Sequence, residues 1–134
     1  LNVQATMRLS QAIARGMRDR GSGHIVIVTS ILAGKVYRFT LPYAATKHAL
    51  RAIRTGLRME LAEFGIKVTE VAPGLTDTPI LRSFENDDAA SDYDARAYQA
   101  LDAQDVALTI FRVTLSGPNA CPELVEVHPL GQIE

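Results

Sequence analysis

The sequence predicts an α/β fold, a three-layer arrangement in which helices cover both faces of a parallel sheet. Three observations lead to it. Apolar residues recur at helical spacing in three separate segments. Between them stand short runs rich in β-branched residues, HIVIVT at 24–29, KVTEVA at 67–72 and ELVEVH at 123–128. The first of these has no polar alternation, the mark of a strand covered on both faces. Helices and strands then alternate along the chain, which requires right-handed crossovers and parallel pairing.

The first helix is predicted over 3–20. Leu9, Ile13 and Met17 form one apolar row, Val3 and Met7 a second beside it, so more than one face is expected to be covered. Arg18 and Arg20 suit its last turn, and Gly21 its end. A buried strand follows over 24–29, with Ser30 at its carboxyl end. Residues 31–42 read as a loop broken by Gly34 and Pro42. The second helix is predicted over 43–64, with Leu50, Ile53, Leu57 and Leu61 as its buried stripe and Gly65 as its stop. The strand at 67–72 closes on Pro73-Gly74. Acidic residues crowd 82–95, which reads as a mobile, solvated segment rather than a metal loop, since it lacks the spacing and turn glycine of one. The third helix is predicted over 105–115, with Val106, Ile110 and Val113 at helical spacing and Gly117-Pro118 as its end, and a last strand over 123–128.

All 134 residues are read as one domain, long enough for a real core. A net charge of −1 argues against nucleic acid or an anionic membrane as partner. The one cysteine, Cys121, excludes an intrachain disulfide, and His24, His48 and His128 lack metal-ligand spacing, so no metal is expected. There is no membrane-length apolar run and no signal-peptide shape, so a cytoplasmic location is expected. The chain starts at Leu1 already inside a helical pattern, which leads to the expectation of a cut chain.

Chemistry is carried by Tyr43 and Lys47. Four residues apart at the start of a helix, they share one face. An ammonium beside a phenol favours the phenolate, which makes tyrosine a useful acid or base near neutral pH. With four tyrosines and three lysines in the chain, this spacing arises by chance about once in eleven such sequences, so the pair alone is weak. Its context is stronger. Ser30 ends the preceding strand, and the carboxyl edge of an open α/β sheet is where ligands bind. Pro73-Gly74 ends the next strand at the same edge, with Thr76 and Thr78 just beyond.

Taken in order, Leu1-Asn2-Val3, Gly21-Ser22-Gly23-His24-Ile25-Val26, Ser30 with Gly34, Tyr43-Ala44-Ala45-Thr46-Lys47, Leu57-Arg58-Met59-Glu60-Leu61, Pro73-Gly74-Leu75-Thr76-Asp77-Thr78 and Asp105-Val106-Ala107 resemble the C-terminal half of a short-chain dehydrogenase/reductase of the classical type. The resemblance runs from Asn2 to about Gln132. It implies a Rossmann-like sheet, the C-terminal part of a doubly wound fold, and NAD(P)-dependent exchange between alcohols and carbonyls. Tyr43 matches the general acid/base, Lys47 the residue that supports it and binds the nicotinamide ribose, and Ser30 the hydroxyl that orients the carbonyl. Asn2, 28 residues before Ser30, matches the asparagine that holds a water in a relay to Lys47. Pro73, Gly74, Thr76 and Thr78 match the loop that lines the nicotinamide. The helices at 3–20 and 43–64 resemble those that pair copies into a homodimer or homotetramer. The tail resembles bacterial members acting on short carbonyl or 3-hydroxy-acid substrates, with a lean to NADP over NAD.

The family's phosphate-binding strand, Gly-rich turn and helix have no counterpart in these residues. Gly21-x-Gly23 lies between a helix and a strand, the wrong order for that role. A sheet without those strands would leave an apolar edge open, so marginal stability and association are expected if these residues are all that is made. An alternative is a catalytically inactive module for dimerisation or interaction. A serine hydrolase using Ser30 and Lys47 is disfavoured, because neither Ser-x-x-Lys nor a Gly-x-Ser-x-Gly elbow is present. Tyr93 and Tyr98 could line a substrate pocket in the loop at 79–98, though surface packing is the commoner fate of such residues.

Overall fold

The computed structural model describes residues 2–79 and 98–133. The acidic stretch at 82–95 and Tyr93 lie outside them. The described elements are α1 (Asn2–Arg20), β1 (Gly23–Val28), α2 (Leu41–Leu61), β2 (Ile66–Pro73), α3 (Ala103–Thr114) and β3 (Leu124–Val127). Single 3-10 turns lie at Ile31–Ala33 and Ala62–Phe64. The three strands form one parallel sheet in the order β1-β2-β3, with Ile25 opposite Val68 and Val71 opposite Val125. The predicted α/β layering holds, with element ends displaced by two residues or fewer apart from the last turn of α2.

Helix ends have local causes. Gly21 and Gly65 both take positive φ, near +67° and +68°, where a side chain is strained. Asp102 caps α3 by accepting from the Gln104 N–H at 2.8 Å, and Asp105 returns the favour to the Asp102 N–H at 3.2 Å. The helix therefore opens at Ala103, two residues before its predicted start. Pro42 stands inside the first turn of α2, where its missing N–H costs nothing, rather than in a loop.

Ile25, Ile27, Ile66 and Val68 from the sheet meet Leu50, Leu57 and Leu61 of α2 and Ala14 of α1. Each leucine buried this way contributes about 1.5–3 kcal/mol. On the opposite face Val26, Val71 and Val125 meet Val106, Ile110 and Val113 of α3. The apolar stripes predicted for α2 and α3 are thus the packed ones. In α1 the outcome differs. Ser10 and Ala14 are its buried residues and Met17 packs beside them, while Met7, Leu9 and Ile13 are exposed. Small side chains let a helix approach closely, so they face inward and the bulky row is left outside. The strand read as doubly covered is likewise only half so. Ile25 and Ile27 are buried, but Val28 is 42% exposed.

A charged cluster sits inside this framework. Glu70, in the middle of β2, is fully buried. It accepts from Thr29 Oγ1 at 2.6 Å, from Arg51 Nε at 3.0 and 3.2 Å, and from Arg54 Nε and Nη2 at 3.2 and 3.1 Å. Arg54 also donates to Glu123 at 2.7 Å. Arg51 Nη2 lies 3.0 Å from Glu70 Oε1 but off the hydrogen-bonding direction, so that contact is ionic only. The Arg51 guanidinium rests against Gly34, where any side chain would collide with it. Through Thr29 and Gly34 the cluster braces the segment that carries Ser30 from both ends.

Candidate active site

β1 delivers Thr29 and Ser30 to the carboxyl edge of the sheet, and the chain turns at once into the 3-10 turn at Ile31–Ala33. Ser30 caps that turn. Its Oγ accepts the Leu32 N–H at 3.1 Å, and the residue is buried. A serine hydroxyl that accepts in this way keeps its own hydrogen for another partner. The capping bond holds the oxygen in place and leaves the O–H available.

The segment between Ser30 and α2 is a tight turn. Thr40 Oγ1 accepts the Tyr37 N–H at 3.1 Å and donates to the Tyr37 carbonyl at 2.8 Å. Phe39 within it has φ of +66°, unusual for a bulky residue. Strain of this kind persists only where surrounding contacts over-determine the backbone. Tyr37 and Tyr43 both pack on the cluster of Ile31, Leu32 and Ala44.

Tyr43 lies in the first turn of α2, at the end where unpaired N–H groups favour negative charge. Lys47 follows one turn later, with its Nζ 5.4 Å from the centre of the Tyr43 ring. Burial pushes the Lys47 ammonium below its ordinary value of 10.5. Both the helix end and the ammonium stabilise a phenolate at Tyr43.

From the neighbouring strand, Pro73 and Gly74 leave the sheet beside this site. Gly74 N–H still bonds to Val127 O at 2.7 Å, and Thr76 Oγ1 donates to the Gly74 carbonyl at 3.0 Å. Leu75 and Asp77 then pair with Leu101 through two backbone bonds of 2.9 Å. These segments enclose a cavity of about 390 Å³. Ser30, Tyr43, Lys47, Pro73, Gly74, Thr76 and Thr78 all line it. Asn2 does not. It opens α1, exposed to solvent, its carbonyl accepting from Thr6 Oγ1 at 2.8 Å.

The cavity wall includes residues that pattern reading missed. Tyr37, Ala107, Ile110 and Gln132 line it as well. Ile110 belongs to the row of α3 whose periodicity marked it as buried, so that signal was present, whereas Ala107 is exposed beside that row. Tyr37 and Gln132 reach the cavity from a turn and from the tail, where no periodicity exists to mark them.

The family model for short chain dehydrogenases matches residues 1–89. The chain belongs to that family. An uncharacterized oxidoreductase of Staphylococcus aureus strain N315 is 35% identical over 130 residues, covering 97% of this chain and 52% of the relative. The chain therefore spans about half the length of the curated relatives it matches. Among solved structures, the closed form of a serine dehydrogenase complexed with NADP+ superposes with a TM-score of 0.77 at 27% identity, over 88% of this chain and 48% of that one. A gluconate 5-dehydrogenase from Burkholderia cenocepacia, in complex with NADP and tartrate, gives 0.76 at 27% identity, over 96% and 52%. Among the described residues, no helix is long and apolar enough to cross a membrane.

Proposed function

We propose that this chain carries the proton-transfer and nicotinamide-facing part of an NAD(P)-dependent oxidoreductase that interconverts alcohols and carbonyls. The observation that carries the reading is one cavity at the carboxyl edge of the sheet, lined at once by Ser30, Tyr43, Lys47 and the loop from Pro73 to Thr78. At about 390 Å³ it suits a nicotinamide ring together with a small substrate. Thr76 and Thr78 line the cavity on this loop, and their hydroxyls fit the hydrogen bonding that such a ring needs. No strand–turn–helix site for a pyrophosphate occurs among the described residues, so these residues fit only the nicotinamide end of the cofactor.

A nicotinamide bound here would supply the hydride, and the protein's task is position and a proton. The free Ser30 O–H orients the carbonyl oxygen. Tyr43 gives that oxygen its proton during reduction and takes it during oxidation. Lys47 and the α2 N-terminus stabilise the phenolate left behind. Ser30 and Tyr43 together stabilise negative charge developing on the oxygen. For Asn2, the support for a water relay to Lys47 is its distance in sequence from Ser30.

NADP is favoured over NAD because similar structures are complexed with it. Serine and gluconate, in the names of those proteins, are small hydroxylated acids. A substrate of that class fits the mixture of hydroxyls and apolar walls in the cavity. The exposed Met7, Leu9 and Ile13 of α1 and Met59 of α2 support pairing of copies through these two helices. A cytoplasmic location is part of this reading, supported by a composition with one cysteine and so no intrachain disulfide.

The test is turnover of small hydroxy acids and their carbonyl counterparts by the full-length protein with NADPH and NADH. Tyr43→Phe removes the proton donor and keeps the ring, and is expected to lower kcat about 100- to 10,000-fold. Unchanged kcat in that variant would remove Tyr43 from the reaction.

A further inference from the structure

We propose that Gln132, in the tail after β3, is a positioning residue that fixes the cofactor-facing loop from Pro73 to Thr78. The proposal rests on the oxidoreductase reading for what the loop binds, and on geometry for the latch itself.

The need for a latch follows from where the sheet ends. Gly74 N–H is the last donor of this stretch to find β3, at Val127 O. The next donor, Leu75 N–H, has passed the end of the strand and stands at the cavity wall. A buried amide without a partner there would cost about 1–3 kcal/mol. Gln132 Oε1 accepts it at 3.1 Å, across 57 residues of sequence. The same amide oxygen occupies the space where a side chain on residue 74 would begin. Glycine at 74 is thus required by the tail.

The tail can serve as a fixed point because it is itself held. Gln132 N–H bonds to Pro129 O at 2.9 Å, and Gln132 is buried. Gly131 packs against the Cβ of Tyr98 with no room for a side chain. Leu75 is then tied at both backbone groups, its N–H to Gln132 and its carbonyl to Leu101 N–H at 2.9 Å. Of these two ties, only the one to Gln132 comes from a side chain, and so only that one can be removed by substitution. Thr76 follows directly, and its hydroxyl is turned back onto the Gly74 carbonyl. The direction of the threonines lining the cavity therefore depends on where Leu75 is held.

The test uses the full-length protein with two variants. Gln132→Met keeps the volume and loses the acceptor, and Gln132→Glu keeps an acceptor oxygen. Backbone hydrogen exchange at residues 74–77 reads the latch directly. Gln132→Met is expected to speed it about fivefold to tenfold, the range of one hydrogen bond, with the β2 core unchanged and protection restored in Gln132→Glu. The KM for NADPH should rise by a similar factor in Gln132→Met, with kcat and the KM for the carbonyl within twofold of the parent. Unchanged exchange at Leu75, faster exchange spread evenly over β2, or altered exchange with an unaltered KM for NADPH would each overturn the proposal. Faster exchange confined to 74–77 in a protein that binds no nicotinamide would leave the latch standing. It would overturn the cofactor role together with the reading it rests on.

Discussion

One stripe of helix α2 carries four cations, Lys47, Arg51, Arg54 and Arg58, at steps of four, three and four. The two middle ones and the first lie in opposite electrostatic settings. Arg51 and Arg54 converge on the fully buried Glu70, and Arg54 also holds Glu123. Lys47, one turn nearer the N-terminus, faces the cavity, and among the described residues no carboxylate pairs with it. The difference separates two uses of charge. A buried carboxylate with every lone pair taken fixes the register between α2 and the sheet. The Lys47 ammonium, with no carboxylate partner among the described residues, stands over the Tyr43 ring instead.

The strongest way to break the comparison is to remove Glu70. Glu70→Ala leaves Thr29, Arg51 and Arg54 facing an emptied, dry site. Breaking a buried pair in this way costs about 3–5 kcal/mol, since Arg54 then keeps only the half-exposed Glu123 and Arg51 only Glu126 at 3.9 Å. Chemical denaturation should show that loss in midpoint. Glu70→Gln, which keeps shape but not charge, should recover only part of it. Since Thr29 adjoins Ser30, turnover should fall before the fold is lost as denaturant is raised. A loss below 1 kcal/mol would mean that the cluster is not the brace described.

The second test acts on Lys47. Its ammonium is held below 10.5 by burial, so the charged form is the one that the fold disfavours. At neutral pH both folded and unfolded chains are protonated, and this desolvation counts fully against the fold. As pH rises toward 10.5 the folded chain releases its proton first while the unfolded chain still binds one. Stability therefore climbs with pH across that window. Lys47→Met removes the charge and should remove the climb. The comparison is best made in a Tyr43→Phe background, because a tyrosine titrates in the same range. Melting temperatures at several alkaline pH values would show it, and an identical slope with and without Lys47 would refute the assignment. In the Tyr43 parent, the same substitution should abolish most turnover, whereas Arg54→Lys should act through stability alone.

These contrasts also explain what could be read from the residues beforehand. Ser30, Tyr43, Lys47 and the Pro73–Thr78 loop were legible because each is tied to a local signal, a strand end or a helix start, and parallel topology brings such points to one edge. The rows of α1 were legible as helical but not as to which faced inward. Hydropathy favours Leu9 and Ile13, whereas close packing against α2 selects Ser10 and Ala14. Glu70 left a usable sign, a lone carboxylate inside a β-branched run, preceded by Arg51 and Arg54 at helical spacing. Gln132 left none, because its role is created by a contact across 57 residues, and no local pattern encodes such a contact.

The smallest effect sharpens the contrast most. Arg58 continues the same stripe and lies 3.8 Å from Glu123, but both side chains are about half exposed, at 42% and 51%. Water screens such a pair, and ordering two long side chains offsets most of its attraction, so it contributes about 0–1 kcal/mol. Arg58→Ala should shift the denaturation midpoint by less than Glu70→Ala by a wide margin, and the shift should shrink further in high salt. If it instead approached the loss seen at Glu70, position along the helix and not burial would govern the stripe. The division between a bracing centre and a working end would then have to be redrawn.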